Sequence, residues 1–293
     1  MNSVTVSIRV KNLYYIYNPG TPFQRCAVDD VSFNIKSGEC VAIVGETGSG
    51  KSTLIQHFNG LLKPTRGQVF VDGVDIWKKG VQLKAIRQKV GLVFQYPEHQ
   101  LFEETVFKDV AFGPNNMGLG EDEIKRRVEQ ALKMVGLDYK TICDRSPFEL
   151  SGGEKRRVAM AGVIAMEPSV IVMDEPASGL DPRGRDEVLT EIRELHREFG
   201  FTVVIVSHSM EDVAKLAQRV IVLHRAKLIA DGPVRVVFGM EDILNKAGLE
   251  APQITRLMKE LAGRNMKVRT NILTVGEAKQ EILKALRSEG CVS

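Results

Sequence analysis

Gly45-Glu46-Thr47-Gly48-Ser49-Gly50-Lys51-Ser52-Thr53 is the stretch whose reading decides the fold. It follows Val41-Ala42-Ile43-Val44, a short apolar run that reads as a buried strand, and precedes Leu54, Ile55, Phe58, Leu61 and Leu62 at helical spacing. Its glycines therefore fall at a strand-to-helix turn. There the missing side chains let backbone N–H groups wrap phosphate oxygens, and the positive end of the helix dipole faces the anion. In a loop of this pattern Lys51 reaches the β- and γ-phosphates and Ser52 the Mg²⁺. A nucleotide with its metal ion is the implied ligand.

Working outward, Leu150-Ser151-Gly152-Gly153-Glu154 opens a second helix. Ser151 with Glu154 three residues later is a capping box, but that leaves Gly152 and Gly153, poor helix formers, without a reason. Bare glycines in a first turn let its amides approach a phosphate closely. Val158, Ala161, Val163, Ile164 and Ala165 continue an apolar face to Met166, and Pro168 closes the segment. We read this helix N-terminus as aimed at the γ-phosphate of a nucleotide held by a second subunit.

Three more apolar runs end in chemistry-bearing side chains. Val170-Ile171-Val172-Met173 delivers Asp174 and Glu175 before Pro176, Val90-Gly91-Leu92-Val93-Phe94 delivers Gln95, and Thr202-Val203-Val204-Ile205-Val206-Ser207 delivers His208. Successive side chains on a strand diverge, so adjacent carboxylates can divide the work: Asp174 orients Mg²⁺ and Glu175 polarises the water attacking the γ-phosphate. In an open parallel sheet ligands bind outside the carboxyl ends of the strands. All these groups are expected at one edge.

From about residue 8 to residue 235 these motifs resemble the ATPase subunit of an ATP-binding-cassette (ABC) transporter. The resemblance implies an α/β P-loop NTPase of ABC type with an antiparallel β subdomain and a helical subdomain. It makes Ser151, Gly152 and Gly153 nucleotide contacts, His208 the switch on the γ-phosphate, and Gln95 a metal ligand in the loop that senses the membrane partner. Ser178-Gly179-Leu180-Asp181 matches the loop linking the two sites of a dimer, with Asp181 on the nucleotide, and Tyr17 falls where an aromatic meets the adenine. Leu13, Tyr15 and Tyr17 also alternate as any strand face would. The family most often has Gln at the fifth signature position, so Glu154 departs from the pattern while keeping the capping role.

Val93-Phe94-Gln95-Tyr96-Pro97-Glu98-His99-Gln100-Leu101-Phe102-Glu103-Glu104-Thr105-Val106, followed by Ala111-Phe112-Gly113-Pro114, resembles the energy-coupling factor (ECF) ATPases, most of all the second of their two A-type subunits. Such transporters import vitamins or transition-metal ions. The implied partners are a second, related ATPase in a heterodimer, a membrane T-type subunit, and cargo-binding S-type membrane subunits, at the cytoplasmic face of the cell membrane. Leu101 and Phe102 add apolar bulk beside Glu103 and Glu104, which reads as a docking groove or as helical core; the resemblance implies a basic coupling helix of the T-type subunit as the occupant of such a groove.

Composition bounds the rest. With Lys+Arg 40 against Asp+Glu 37 the net charge is only +3, which makes no electrostatic case for nucleic acid. The clusters Lys125-Arg126-Arg127 and Lys155-Arg156-Arg157 read as solvated helix faces. No apolar run approaches the roughly 18 residues a membrane helix needs, and no signal-peptide core is legible, so membrane contact is expected through partners. Cys26, Cys40, Cys143 and Cys291 lack metal-ligand spacing and read as reduced thiols. The expected organisation is a β-rich start to about Asp30, an ABC nucleotide-binding domain over residues 1–238 with its helical subdomain at about 102–166, and a small helical appendage over 239–293. Asp231-Gly232-Pro233 reads as a turn. Three amphipathic helices are expected beyond it, around Ile243, Leu257 and Leu283, and by resemblance this region holds two ATPases together. The alternatives are the ATPase of a conventional ABC importer, against which the stretch from Tyr96 to Phe102 weighs, and an ABC ATPase acting on nucleic acid. The second lacks room for a coiled-coil arm between Gln95 and Leu150.

Overall fold

The computed structural model describes residues 5–288, so Cys291 lies outside the described residues. The chain begins with β1 (Val6–Tyr17), β2 (Arg25–Lys36), β3 (Cys40–Val44), α1 (Lys51–Gln56), β4 (Arg66–Val71), β5 (Val74–Asp75), α2 (Leu83–Lys89) and β6 (Val90–Val93). The helices α3 (Val106–Met117), α4 (Glu121–Met134), α5 (Tyr139–Ile142) and α6 (Gly152–Ile164) follow, then β7 (Val170–Asp174), α7 (Pro182–Phe199), β8 (Thr202–Val206), α8 (Met210–Leu216), β9 (Arg219–His224) and β10 (Lys227–Pro233). The chain closes with α9 (Val234–Val237), α10 (Glu241–Lys246), α11 (Gln253–Gly263) and α12 (Val275–Ser288).

Two sheets result. One is antiparallel with order β2-β1-β4-β5, and the other has order β10-β9-β3-β8-β7-β6, parallel except for the edge strand β10. Strands covered on both faces read as continuous apolar runs, which is why β3 and β8 are buried at every residue. Alternation along β3 still sorts its side chains: Val41 and Ile43 pack with α1 and the antiparallel sheet, Ala42 and Val44 with α8 to α10. A third cluster joins α3, α4 and α6 to the sheet through Val93, Met173, Val203 and Ile205.

Four expectations change. The β-rich part is not confined to the start, because β2 runs on to Lys36 and β4 and β5 return from residues 66–75 to pair beside β1. Such long-range pairing leaves no local signal. The helix after the phosphate loop stops at Gln56, not Leu62; Phe58 remains buried but Leu61 is turned out at 45 % exposure. Asp231-Gly232-Pro233 is not a turn but the end of β10, paired with Ile221, Val220 and Arg219. Proline is tolerated there because β10 is an edge strand whose outer N–H groups have no ladder to join.

The fourth concerns the chain after Phe238. Three helices, α10 to α12, occur in that region, but Leu244, Ala247, Leu249 and Ala251 pack into the cluster that includes Ala42, Val44 and Val222 of the main sheet. A separate small core begins later, around Met258, Ile272 and Ala278 between α11 and α12. Among the described residues no helix is long and apolar enough to cross a membrane.

Candidate functional site

The loop from β3 to α1 is shaped by close backbone approach. Gly50 has φ +106°, and a Cβ there would sit 2.1 Å from the Ala27 carbonyl oxygen of β2, so only glycine lets the two segments meet. The Lys51 ammonium, buried at the first position of α1, donates to the carbonyls of Gly45 (2.8 Å) and Glu46 (3.0 Å). Burial pulls its pKa down, against the opposing pull of Glu175, Asp174 and Glu46. An ammonium has three hydrogens, so one remains for an anion at the helix N-terminus.

The carboxyl ends of three further strands converge on this loop, as expected, in a cleft of about 450 Å³ lined by Tyr17, Arg25, Ala27, Thr47, Gly48, Gly50, Lys51, Ser52, Thr53, Gln95, Asp174, Glu175 and His208. Asp174 ends β7 and lines the cleft beside Ser52 and Lys51; burial raises its pKa while the neighbouring Ser52 and Lys51 lower it. Glu175 follows in a strained conformation, φ +52°. Its backbone N–H donates to the Val206 carbonyl of β8 at 2.9 Å, and its Oε1 lies 2.7 Å from His208 Nδ1. Neighbouring carboxylates thus face different partners, the division that adjacent strand residues allow. Gln95 donates from Nε2 to Ser178 Oγ at 3.2 Å. Tyr17 Oη lies 3.2 Å from Thr53 Oγ1, and its ring meets Tyr15 edge-on.

Ser52, Asp174 and the Gln95 amide form an oxygen-donor set of the kind Mg²⁺ takes. Among the described residues no group of three or more His, Cys, Asp or Glu side chains could hold a metal alone.

Several of the expected residues do not line this chain's own cleft, which for Ser151, Gly152 and Gly153 is where the shared-site expectation also leaves them. Gly45, Glu46 and Ser49 do not line the cleft. Glu46 Oε1 turns instead to His224 Nδ1 at 3.2 Å, and the Ser49 N–H is used on the Glu46 carbonyl. Asp181 caps α7, accepting from Gly184 N–H at 2.8 Å, and stands outside the cleft. Ser151, Gly152 and Gly153 are exposed at the start of α6 and also outside it. The capping box is formed: Ser151 Oγ accepts from Glu154 N–H, and Glu154 Oε2 accepts from Ser151 N–H. Cβ atoms added at Gly152 or Gly153 would meet nothing within 4 Å. Nothing among the described residues requires those glycines.

Arg25 and Ala27 also line the cleft, and no motif in the sequence marks them. The signal for Arg25 is register: it is the direct cross-strand partner of Tyr17, across a hairpin whose pairing shifts several times.

A larger groove of about 800 Å³ lies between α2, α3 and α6, lined by Leu61, Lys84, Arg87, Phe102, Phe112 and Met117 among others. Phe102 is 57 % exposed and stacks edge-on against Phe112, whereas Leu101 belongs to the helical core. Glu103 and Glu104 do not line the groove, and Glu104 is paired with Lys108 at 2.6 Å. The acid of the groove wall is Asp109, which accepts from the Phe102 and Glu103 N–H groups and whose pKa burial raises.

Residues 28–178 match the model of the ABC transporter family. The chain is 56 % identical over 284 residues to the energy-coupling factor transporter ATP-binding protein EcfA2 of Clostridium tetani, covering 97 % of this chain and 99 % of that protein. It is 52 % identical over 280 residues to the protein of the same name from Caldanaerobacter subterraneus subsp. tengcongensis, covering 96 % and 98 %. Among solved structures it is similar to CbiO1 of Clostridium perfringens, described as part of the ABC transporter complex cbiONQ, with TM-score 0.73 and 40 % identity over 87 % of this chain and 99 % of that one. The ATP-binding cassette MJ0796, solved as a dimer in a post-hydrolysis state with ADP and Pi, superposes with TM-score 0.67 at 30 % identity over 78 % of this chain and 98 % of that one.

Proposed function

The chain belongs to the ABC transporter family, and from that premise we propose how its site drives transport. It is the ATPase subunit of an ECF transporter, binding ATP and coupling hydrolysis to transport. In the proposed cycle this chain and a second, related ATPase face head to tail. Each ATP lies between one subunit's phosphate loop and the other's signature helix, and binding closes the pair. The observation that carries this reading is the bare start of α6: glycines with open space over them, on a helix N-terminus that does not face its own cleft. Such an end suits an anion brought by another molecule.

Within one site, Lys51 and the first turn of α1 take the β- and γ-phosphates, and Tyr17 the adenine. His208 holds one oxygen of Glu175, leaving the other to accept the proton of the attacking water. Ser52, Asp174 and the Gln95 carbonyl oxygen would hold Mg²⁺, which when bound neutralises charge on the β- and γ-oxygens. Gln95 is tied through Ser178 to the loop that ends at Asp181, so closure felt there reaches the coupling groove. We place Asp181 at the dimer interface as the cap of α7, not on the nucleotide.

The groove around Phe102 and Phe112 is the proposed seat of a coupling helix from a membrane T-type subunit, with Asp109, Lys84 and Arg87 as its charged contacts. Cargo-binding S-type subunits complete the complex, at the cytoplasmic face of the membrane, for vitamins or transition-metal ions. We also propose that the nucleotide-binding body extends to about residue 251 and that α11 and α12 form the appendage that helps hold the two ATPases together. The test is to purify the tagged chain from detergent-solubilised native membranes and identify its companions by mass spectrometry. A T-type protein, a second ATPase and small membrane binders are expected. A pair of conventional permease subunits would overturn the assignment of partners.

A further inference from the structure

Arg25 begins β2, directly opposite Tyr17, the last residue of β1. Side chains directly opposite each other in an antiparallel pair share one face, with Cβ atoms ~5 Å apart, and both residues line the nucleotide cleft. The Arg25 guanidinium reaches the phosphate loop, where Nη2 donates to the Gly48 carbonyl at 3.2 Å. A side chain at Gly48 would crowd that same nitrogen, at 2.9 Å. Among the described residues no carboxylate pairs with Arg25, whereas Arg185 and Arg235 each hold one and Arg126 and Arg219 each hold two. A guanidinium has five N–H donors in a planar fork. One backbone carbonyl fixes its position and leaves most of the fork unused.

We propose that Arg25 is a nucleotide-positioning residue that grips the α-phosphate. This rests on the reading of Tyr17 as the adenine platform and of Lys51 as the β,γ-phosphate cation. Between the two lies the α-phosphate, and Arg25 is the cation that borders both the platform and the loop. The contact is common to ATP, ADP and GTP and is independent of the reacting γ-phosphate.

The test uses the full-length chain with Mg²⁺ and fluorescent ATP, ADP and GTP analogues, comparing wild type, Arg25→Met and Arg25→Lys, with thermal melts alongside. Arg25→Met is expected to weaken all three nucleotides by about the same factor, roughly tenfold, without lowering the nucleotide-free melting temperature. Arg25→Lys, which keeps the charge but not the fork, is expected to restore part of the loss. In the reconstituted complex the change should appear in KM for ATP, not in kcat. Unchanged affinity in Arg25→Met would overturn the proposal while leaving the nucleotide site itself intact, since wild type binds in the same assay. A loss confined to ATP would reassign Arg25 to the γ-phosphate, and a loss that spares GTP would reassign it to the adenine; either result contradicts an α-phosphate grip. Wild type failing to bind any of the three would instead bring down the reading of the cleft.

Discussion

Gly153→Ala separates what the signature helix does for its own chain from what it does for another. Gly153 is the second residue of α6, and an added Cβ meets nothing within 4 Å. Replacing glycine by alanine in a helix is worth up to about 1 kcal/mol, less in a first turn, so the isolated chain should be as stable as wild type or slightly more. On the scale of a chain this size that is a rise of at most about 3 °C in melting temperature. The same methyl stands over the amides that the shared-site reading aims at the partner's γ-phosphate. Loss of one preorganised donor of this kind costs about 10² to 10³ in rate, or ~3–4 kcal/mol of barrier. The assay pairs nucleotide-free thermal melts of the chain with phosphate release by the reconstituted complex. Turnover within a fewfold of wild type would refute the reasoning. So would a fall in melting temperature of several degrees, since the glycine would then serve its own chain.

Glu175→Gln keeps the shape that accepts the His208 bond and the backbone tie to Val206, so nucleotide binding should persist while hydrolysis falls roughly 10²- to 10⁴-fold and a closed dimer accumulates on gel filtration with ATP; near-normal turnover would remove Glu175 as the base. Burial pushes His57, which lies fully inside with Nδ1 on the Thr53 carbonyl, down to about 4 from 6.5. Its folded pKa is below its unfolded one, so the stability linked to it is complete above pH 6.5 and is lost as pH falls towards 4, about 2 kcal/mol by pH 5. Urea midpoints at pH 7 and pH 5 should show this slope, and an equal slope in His57→Gln would assign it to other groups. Truncation after residue 238 should expose the main-sheet cluster by removing buried Leu244 and Leu249, costing ~3–6 kcal/mol for the two leucines. Truncation after residue 252 should leave the melting of the body intact and loosen only the nucleotide-free dimer; equal damage from both cuts would contradict the proposed boundary.

Much of the cleft was legible because its parts are local. A strand-to-helix turn needs its glycines in sequence, and Gln95, Asp174, Glu175 and His208 each stand at the end of an apolar run whose parallel neighbours are set by topology. Side-chain direction was not legible. Glu46 and Asp181 sit within the expected motifs, and one turns to His224 while the other caps α7 through one carboxylate oxygen. Arg25 was invisible because its place depends on a hairpin register that shifts between Leu13, Tyr15 and Ile16. The return of β4 to the antiparallel sheet and the packing of Leu249 under β3 are likewise products of long-range contact, with no pattern in their own stretches to announce them. Leu101 and Phe102 are adjacent and both apolar, yet the first joins the core formed by α3, α4 and α6 and the second stays exposed.

The central claim is that this chain's signature helix serves a nucleotide bound by the other ATPase, and it can be tested with an ATP analogue carrying a photoreactive group on the γ-phosphate. Lys51→Ala removes the ammonium that grips the β,γ-phosphates in this chain's own loop, so in the reconstituted complex the analogue remains held by the partner. Irradiation and peptide mapping should then label the segment from Ser151 to Arg157 in the Lys51→Ala chain and lose that label when Gly153→Ala is added. Labelling confined to residues 45–53, and abolished by Lys51→Ala, would contradict the account.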